Sequence, residues 1–206
     1  MGRVCRARTP SASVTSMSMS LPAPRVLGDV IPGGIVRDIA LVLGGSALTG
    51  VAAQVALPLP FTPVPLTLQT FAVLLVGASL GTVRGVLSMG LYLVAGVVGV
   101  PWFANATSGA GGASFGYVIG FVVAAALVGR LAERGATTGP LRTAAVMVVG
   151  NLAIYAVGVP WLMAVAHVGF AKALALGVVP FLIGDLIKVA VAAGAFPSAW
   201  RLSGRR

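Results

Sequence analysis

The chain has 206 residues, 58% of them hydrophobic and 9% charged, with a mean hydropathy of +1.02. One soluble core of that size would not use so much apolar material, so a soluble globular domain is excluded and lipid must solvate much of the surface. The net charge of +10 raises nucleic acid as a partner, because basic surfaces bind phosphate by releasing counterions; the placement of the charges argues against it, and no nucleic acid is expected.

Residues 1–34 are rich in Ser, Pro, Arg and Met and lack an apolar run of the length a signal peptide needs, so they read as a disordered basic cytoplasmic tail. Met1-Gly2 is followed by Arg6 where a myristoylation site takes Ser or Thr, so no lipid anchor is expected. The single cysteine, Cys5, leaves no internal disulfide and no thiolate metal cluster to build, and neither a metal nor a cofactor is expected.

A hydrocarbon layer about 30 Å thick needs roughly 20 apolar residues per helix, and about 17 where a span is short. Six stretches qualify: 35–57, 66–81, 84–100, 114–131, 142–159 and 178–198. The second is the weakest, being short and opening with Thr67 and Gln69. Basic residues fall in alternate gaps: Arg3, Arg6, Arg8, Arg25 and Arg37 before or at the start of span one, Arg84 between two and three, Arg130, Arg134 and Arg142 between four and five, and Arg201, Arg205 and Arg206 after six. The loops 57–65 and 101–113 carry no charge, and the third outer loop holds only His167 and Lys172. The positive-inside rule then puts both termini in the cytoplasm and requires an even number of spans. The expected fold is an all-α, polytopic membrane protein: a six-helix transmembrane bundle over 35–200 with a basic cytoplasmic C-terminus at 201–206.

Span one carries Ala40 with Gly44, and Ser46 with Gly50, small residues four apart that let another helix approach closely. A partner surface and internal packing fit them equally well. In the first outer loop, Pro63 and Pro65 stiffen an extended stretch that delivers Thr67 and Gln69 to the mouth of span two. The uncharged Gly-rich stretch 103–112, with Phe103 and Asn105, can fold over a small molecule or serve as a plain connector. Gly99-Val100-Pro101-Trp102 recurs as Gly158-Val159-Pro160-Trp161, each about 17 residues after an arginine, or about 26 Å of helix. Both helices are expected to stop there, with the indole at the interface. Tyr117 and Tyr155, early in span four and late in span five, can each offer a flat apolar face with a hydroxyl at its edge.

Asp185 reads as the only acidic residue inside an apolar span, and Lys188 follows three residues later on the same helical face. Ionisable groups in hydrocarbon cost at least about 2.5–3.5 kcal/mol and usually mark a substrate or ion path. An ion pair that only locks two helices together is the bland alternative; a ligand explains the pair better.

Thr62-Pro-Val-Pro-Leu-Thr-Leu-Gln-Thr-Phe71, Leu91-Tyr92 with Gly99-Val-Pro-Trp-Phe103, Gly116-Tyr117 with Gly120-Phe121, and Gly184-Asp185-Leu-Ile-Lys188 together resemble the BioY family of biotin transporters, the substrate-binding S components of energy-coupling factor (ECF) transporters. Residues 112–117 read Gly-Ala-Ser-Phe-Gly-Tyr, where many members carry Gly-Pro-Thr-Gly-Gly-Tyr. The resemblance implies an S component in the cell membrane of a prokaryote, not an enzyme. Such a protein captures biotin from outside in a pocket closed by the first and third loops, residues 61–69 and 103–112. A transmembrane coupling subunit and two ATPase subunits would then drive uptake as the S component topples in the bilayer. The chain has no Gly-x-x-x-x-Gly-Lys-Ser/Thr phosphate loop of its own. On this reading Asp185 accepts from ureido N–H groups, Lys188 or Asn105 holds an oxygen, and Trp161, Phe103 and Tyr155 pack on ring and chain, with Thr67, Gln69 and Tyr117 completing the site. The span-one small residues would face the coupling subunit. An S component for another small vitamin is the nearest alternative. An intramembrane enzyme is poorly served by one His, one Cys and no paired membrane carboxylates. The sequence leaves open whether the protein acts alone, as a homo-oligomer, or only with the energising module.

Overall fold

The computed structural model describes residues 26–203, and most of the tail expected to be disordered, with Cys5 and Arg205–Arg206, lies outside them. Within that range the chain is helical almost throughout. Residues 27–30 form a 3-10 turn behind the buried Val26, followed by α1 (Ile35–Gln54). Two short strands, β1 (Ala56–Leu57) and β2 (Leu66–Thr67), pair antiparallel with Ala56 opposite Thr67. Then come α2 (Gln69–Val97), α3 (Phe115–Glu133), α4 (Pro140–Ala166), α5 (Phe170–Gly177), a 3-10 turn at Val179–Phe181 and α6 (Leu182–Leu202). Five runs among the described residues are long and apolar enough to cross a membrane, the last being α5 and α6 taken together.

Helix α1 is inverted relative to a helix of a water-soluble protein. In α1 the buried stripe is Gly45, Ser46, Thr49, Gly50 and Ala53, whereas Ile35, Val36, Ile39, Leu43 and Val51 face outward. Small residues inside allow backbones to approach, and large apolar ones outside match acyl chains. The same device seats α3 at the centre. A Cβ on Gly77 would stand 3.2 Å from Ala125 Cα, and one on Gly120 would stand 2.9 Å from the Ile154 carbonyl oxygen. A side chain at Gly120 would therefore force α4 away from α3, and one at Gly77 would crowd the α2–α3 contact.

The second and third expected spans are one helical run, α2, but not a straight one. At Gly81 the backbone takes φ 82° and ψ −175°, a conformation that L side chains avoid. The chain doubles back there: Gly85 lies against Gly77, with an ideal Cβ 3.3 Å from its Cα, and the Gln69 amide reaches Tyr92 at 2.6 Å. In a straight helix the 23 residues between them would span about 35 Å. Glu133, at the end of α3, accepts a hydrogen bond from the Thr82 N–H at 2.7 Å and so caps the exposed amide of the reversal.

Three expectations need correction. The second Gly-Val-Pro-Trp does not end a helix: α4 runs through Pro160 to Ala166 and stops at His167, in the left-handed region at φ 51°. Proline removes one backbone hydrogen bond, but packing of the following turn holds the helix on course, since Trp161 sits over Gly116, where any Cβ would overlap its ring. A short helix, α5, occupies part of what reads as the third outer loop. Finally, Asp38 also falls inside span one, in the first turn of α1, so Asp185 is not the only acid in a span.

The bundle has two unlike ends. One, the charged end, gathers Asp29, Arg37, Asp38, Arg84 and Glu133: Arg84 pairs with Asp29 at 2.8 Å and with Asp38 at 3.0 Å, and Arg37 pairs with Asp38 at 2.7 Å. The other, the loop end, carries the β1–β2 hairpin, residues 98–114 and α5.

Candidate functional site

At the loop end a cavity opens between the β2 strand and helices α2, α3, α4 and α6. Its polar wall is Thr67, Gln69, Thr70, Ser114, Tyr155, Asp185 and Lys188, and its apolar wall includes Val64, Phe103, Tyr117, Val118, Phe121 and Phe181. The room open to water-sized occupants is only about 50 Å³. Above it lies a wider outer cavity of about 370 Å³, bordered by Asn105, Thr107, Ser108, Gly112 and Ser114; Pro65, Phe103, Ala104, Ser114 and Val118 border both.

Asp185 lies in the first turn of α6 and is 6% exposed. One carboxylate oxygen accepts the Tyr155 hydroxyl and the other faces Lys188 Nζ at 3.3 Å. The ammonium of Lys188 also donates to the Thr67 carbonyl at 3.0 Å and to Thr70 Oγ1 at 2.8 Å. All three of its hydrogens are therefore used within the protein, and their effect is to clamp β2 and the start of α2 onto α6. A buried ion pair made this way is tolerable because each charge has further hydrogen-bond partners. It lies in a cavity wall, not between two sealed helix faces.

Gln69 opens α2, its backbone N–H directed at Thr67 Oγ1 at 3.3 Å. Its side-chain amide donates to Tyr92 Oη at 2.6 Å. Tyr92 in turn donates to the Trp102 carbonyl at 3.0 Å, and Trp102 Nε1 donates back to the Tyr92 carbonyl at 3.0 Å. An aromatic file runs from here across the loop end: Trp102, Tyr92, Phe103, Phe115 and Trp161, with neighbouring ring centroids 5.1–6.4 Å apart. Tyr117 and Tyr155 meet edge to face at 6.4 Å on the opposite wall.

Two loops roof the cavity. In the first, Thr62 Oγ1 donates to the Leu176 carbonyl at 2.7 Å, next to the Gly177 carbonyl that accepts from Tyr117 Oη at 2.9 Å. In the second, Gln54 at the end of α1 donates to the Trp102 and Phe103 carbonyls at 3.2 and 3.3 Å and accepts from the Ala106 N–H at 3.1 Å, fixing a turn in which Asn105 takes φ 59°.

Of the residues singled out from the sequence, Thr67, Gln69, Phe103, Tyr117, Tyr155, Asp185 and Lys188 border the inner cavity. Asn105 borders only the outer one. Trp161 borders neither: its ring packs on Phe115 and its Nε1 donates to the Gly112 carbonyl at 3.0 Å, so it anchors the Gly-rich loop. Span one divides as well. Ser46 and Gly50 are buried, Gly50 under Trp102, whereas Ala40 and Gly44 face outward, with nothing within 4 Å of a Cβ on Gly44. Sequence reading missed Thr70, Ser114, Val118, Phe121 and Phe181 on the wall and Gln54 in the roof; Thr70 and Phe121 stand in stretches that carry the family resemblance, and Gln54 is polar at the loop end of an apolar span. No group of three His, Cys, Asp or Glu converges among the described residues, so the site offers hydrogen bonds and packing, not metal ligands.

A family model described as the BioY family matches residues 15–205. Among curated relatives, a probable biotin transporter BioY of Pyrococcus horikoshii is 38% identical over 76% of this chain and 91% of its own length. A biotin transporter BioY of Thermotoga maritima is 40% identical over 72% and 86%. A solved structure, the S-component for biotin from an ECF-type ABC transporter, superposes with a TM-score of 0.72 at 25% identity, covering 83% of this chain and 93% of that one.

Proposed function

This chain belongs to the BioY family, and from that premise we propose that it binds biotin in the cavity under the first and third loops and passes it to an energising module. It is a multi-pass protein of the plasma membrane, a biotin-specific S component and not an enzyme. The observation that carries the site is Asp185: a carboxylate 6% exposed, held by Tyr155 and Lys188 in the wall of a cavity. A carboxylate there accepts N–H groups, which the ureido ring of biotin supplies. The thioether ring then lies against Tyr117, Phe121 and Phe181, and the tail points through the shared border at Phe103 and Ala104 toward Asn105 and Ser108. Lys188 spends its hydrogens on Thr67, Thr70 and Asp185, so it serves as a clamp beneath the ligand and leaves the tail carboxylate to the outer cavity. The inner room adjoins the outer cavity along Pro65, Phe103, Ala104, Ser114 and Val118, so the ligand spans both beneath the two loops.

In this reading the bundle crosses the membrane six times, α2 counting as two crossings on account of its reversal at Gly81. Arg37, Arg84, Arg130, Arg134, Arg142 and Arg201 lie toward the charged end, which supports a cytoplasmic placement of that end and of both termini. Ala40 and Gly44 are the outward small residues that suit a transmembrane coupling subunit; Ser46 and Gly50 are already occupied within the bundle. Two ATPase subunits complete the module.

Titration of the purified full-length protein in detergent with biotin tests the ligand. Saturable binding below micromolar concentration is expected. Absence of binding to biotin with tight binding of a different small vitamin would move the protein to another substrate.

A further inference from the structure

Tyr92 borders neither cavity, yet it decides what one wall of the inner cavity presents. Its hydroxyl has one hydrogen, and that hydrogen points to the Trp102 carbonyl at 3.0 Å. Gln54 also reaches that carbonyl, but its two amide hydrogens are spread over the Gly50, Trp102 and Phe103 carbonyls, so they do not release Tyr92. The indole of Trp102 fixes the arrangement from the other side by donating to the Tyr92 backbone. Toward Gln69, Tyr92 can therefore only accept. The amide nitrogen of Gln69 must face Tyr92, as the 2.6 Å contact records, and its carbonyl oxygen must face the other way. That oxygen has no partner among the described residues, and it is not sealed in protein, since the sealed polar atoms without partners are Ser46 Oγ and Thr82 Oγ1. Gln69 itself is 4% exposed and borders the inner cavity.

We propose that Tyr92 is a positioning residue that locks the Gln69 amide with its oxygen toward the ligand, making Gln69 an acceptor and selecting ligands that present an N–H group at that wall. With Asp185, which borders the same cavity, the pocket then offers two acceptors to a molecule with two N–H groups, the pattern of a cyclic urea. A glutamine free to rotate would serve a donor or an acceptor equally and would not discriminate. This rests on the biotin reading above.

The test is a binding cycle on the full-length protein in detergent, using wild type, Tyr92→Phe, Gln69→Leu and the double variant, titrated with biotin and with its two N-methylated ureido analogues. Wild type is expected to bind one of the methylated analogues roughly tenfold or more weakly through loss of the Gln69 bond, on top of any effect at Asp185. Tyr92→Phe is expected to weaken biotin about tenfold and to narrow the preference for biotin over that analogue, while in the Gln69→Leu background it changes affinity by less than about twofold. A loss of the same size in both backgrounds, or an unchanged preference between biotin and the analogues, overturns the proposal, because a merely structural tyrosine acts on all ligands and all backgrounds alike. If Tyr92→Phe fails to fold, the wild-type titrations still decide: equal affinity for biotin and both analogues removes Gln69 as an acceptor. Should wild type bind no biotin, the functional reading falls and takes this proposal with it; normal wild-type binding without coupling removes this proposal alone.

Discussion

The two ends of the bundle use the same chemistry for different purposes. At the charged end Arg84 joins Asp29 on the N-terminal turn to Asp38 on α1, and Glu133 caps the reversal after Gly81. At the loop end Asp185, Lys188 and Tyr155 join α6 to α4 and to the start of α2. Both sets link elements distant in sequence. The difference is what lies beside them: neither cavity at the loop end is bordered by Arg84 or Glu133, while Asp185 and Lys188 border one. A charge pair in a membrane protein points to a ligand where a cavity adjoins it, as one adjoins Asp185 and Lys188.

Substitutions on both sides of that contrast would break or sharpen it. The largest effect is expected at Asp185→Ala, which leaves the Lys188 ammonium without its anion and Tyr155 without its acceptor; biotin affinity measured by calorimetry should fall about 100-fold, the scale of a buried charge-assisted hydrogen bond. Lys188→Ala comes next, with about a tenfold loss from slackening of the hold on Thr67 and Thr70. Because its hydrogens are committed to the protein, biotin and biotin methyl ester should weaken by the same factor; a loss seen with the acid alone would make Lys188 a direct carboxylate ligand. Arg84→Met should have the smallest effect on binding, within about twofold, while lowering the midpoint of thermal unfolding by a few degrees, as expected when partly exposed ion pairs are lost. A large loss of affinity there would erase the distinction between the ends.

How much of this was readable beforehand follows the physics of each signal. Charge alternation and span length located α1, α3, α4 and most of α6 to within a few residues, except that α4 overran its expected end, because lipid imposes length and the cytoplasmic leaflet attracts arginine. The overrun at Pro160 was not readable, since a proline stops a helix only if the next turn has nothing to hold it, and here Trp161 has Gly116. The reversal at Gly81 hid in the sequence for a similar reason: it needs a single glycine and a cap, Glu133, brought from 51 residues away. In the site, the ionisable and amide residues stood out because hydrocarbon penalises them. Phe121, Val118 and Phe181 did not, because an apolar residue reaches the cavity only by the rotation of its helix, which composition does not encode. The role of Lys188 needed the same three-dimensional information, as its acceptors Thr67 and Thr70 lie about 120 residues earlier.

The adjoining carbonyls of Leu176 and Gly177, at the close of α5, moor two structures at once: the first loop through Thr62 and the wall of α3 through Tyr117. Because both anchors draw on one turn, a displacement of that turn would reach the first loop and the α3 wall together.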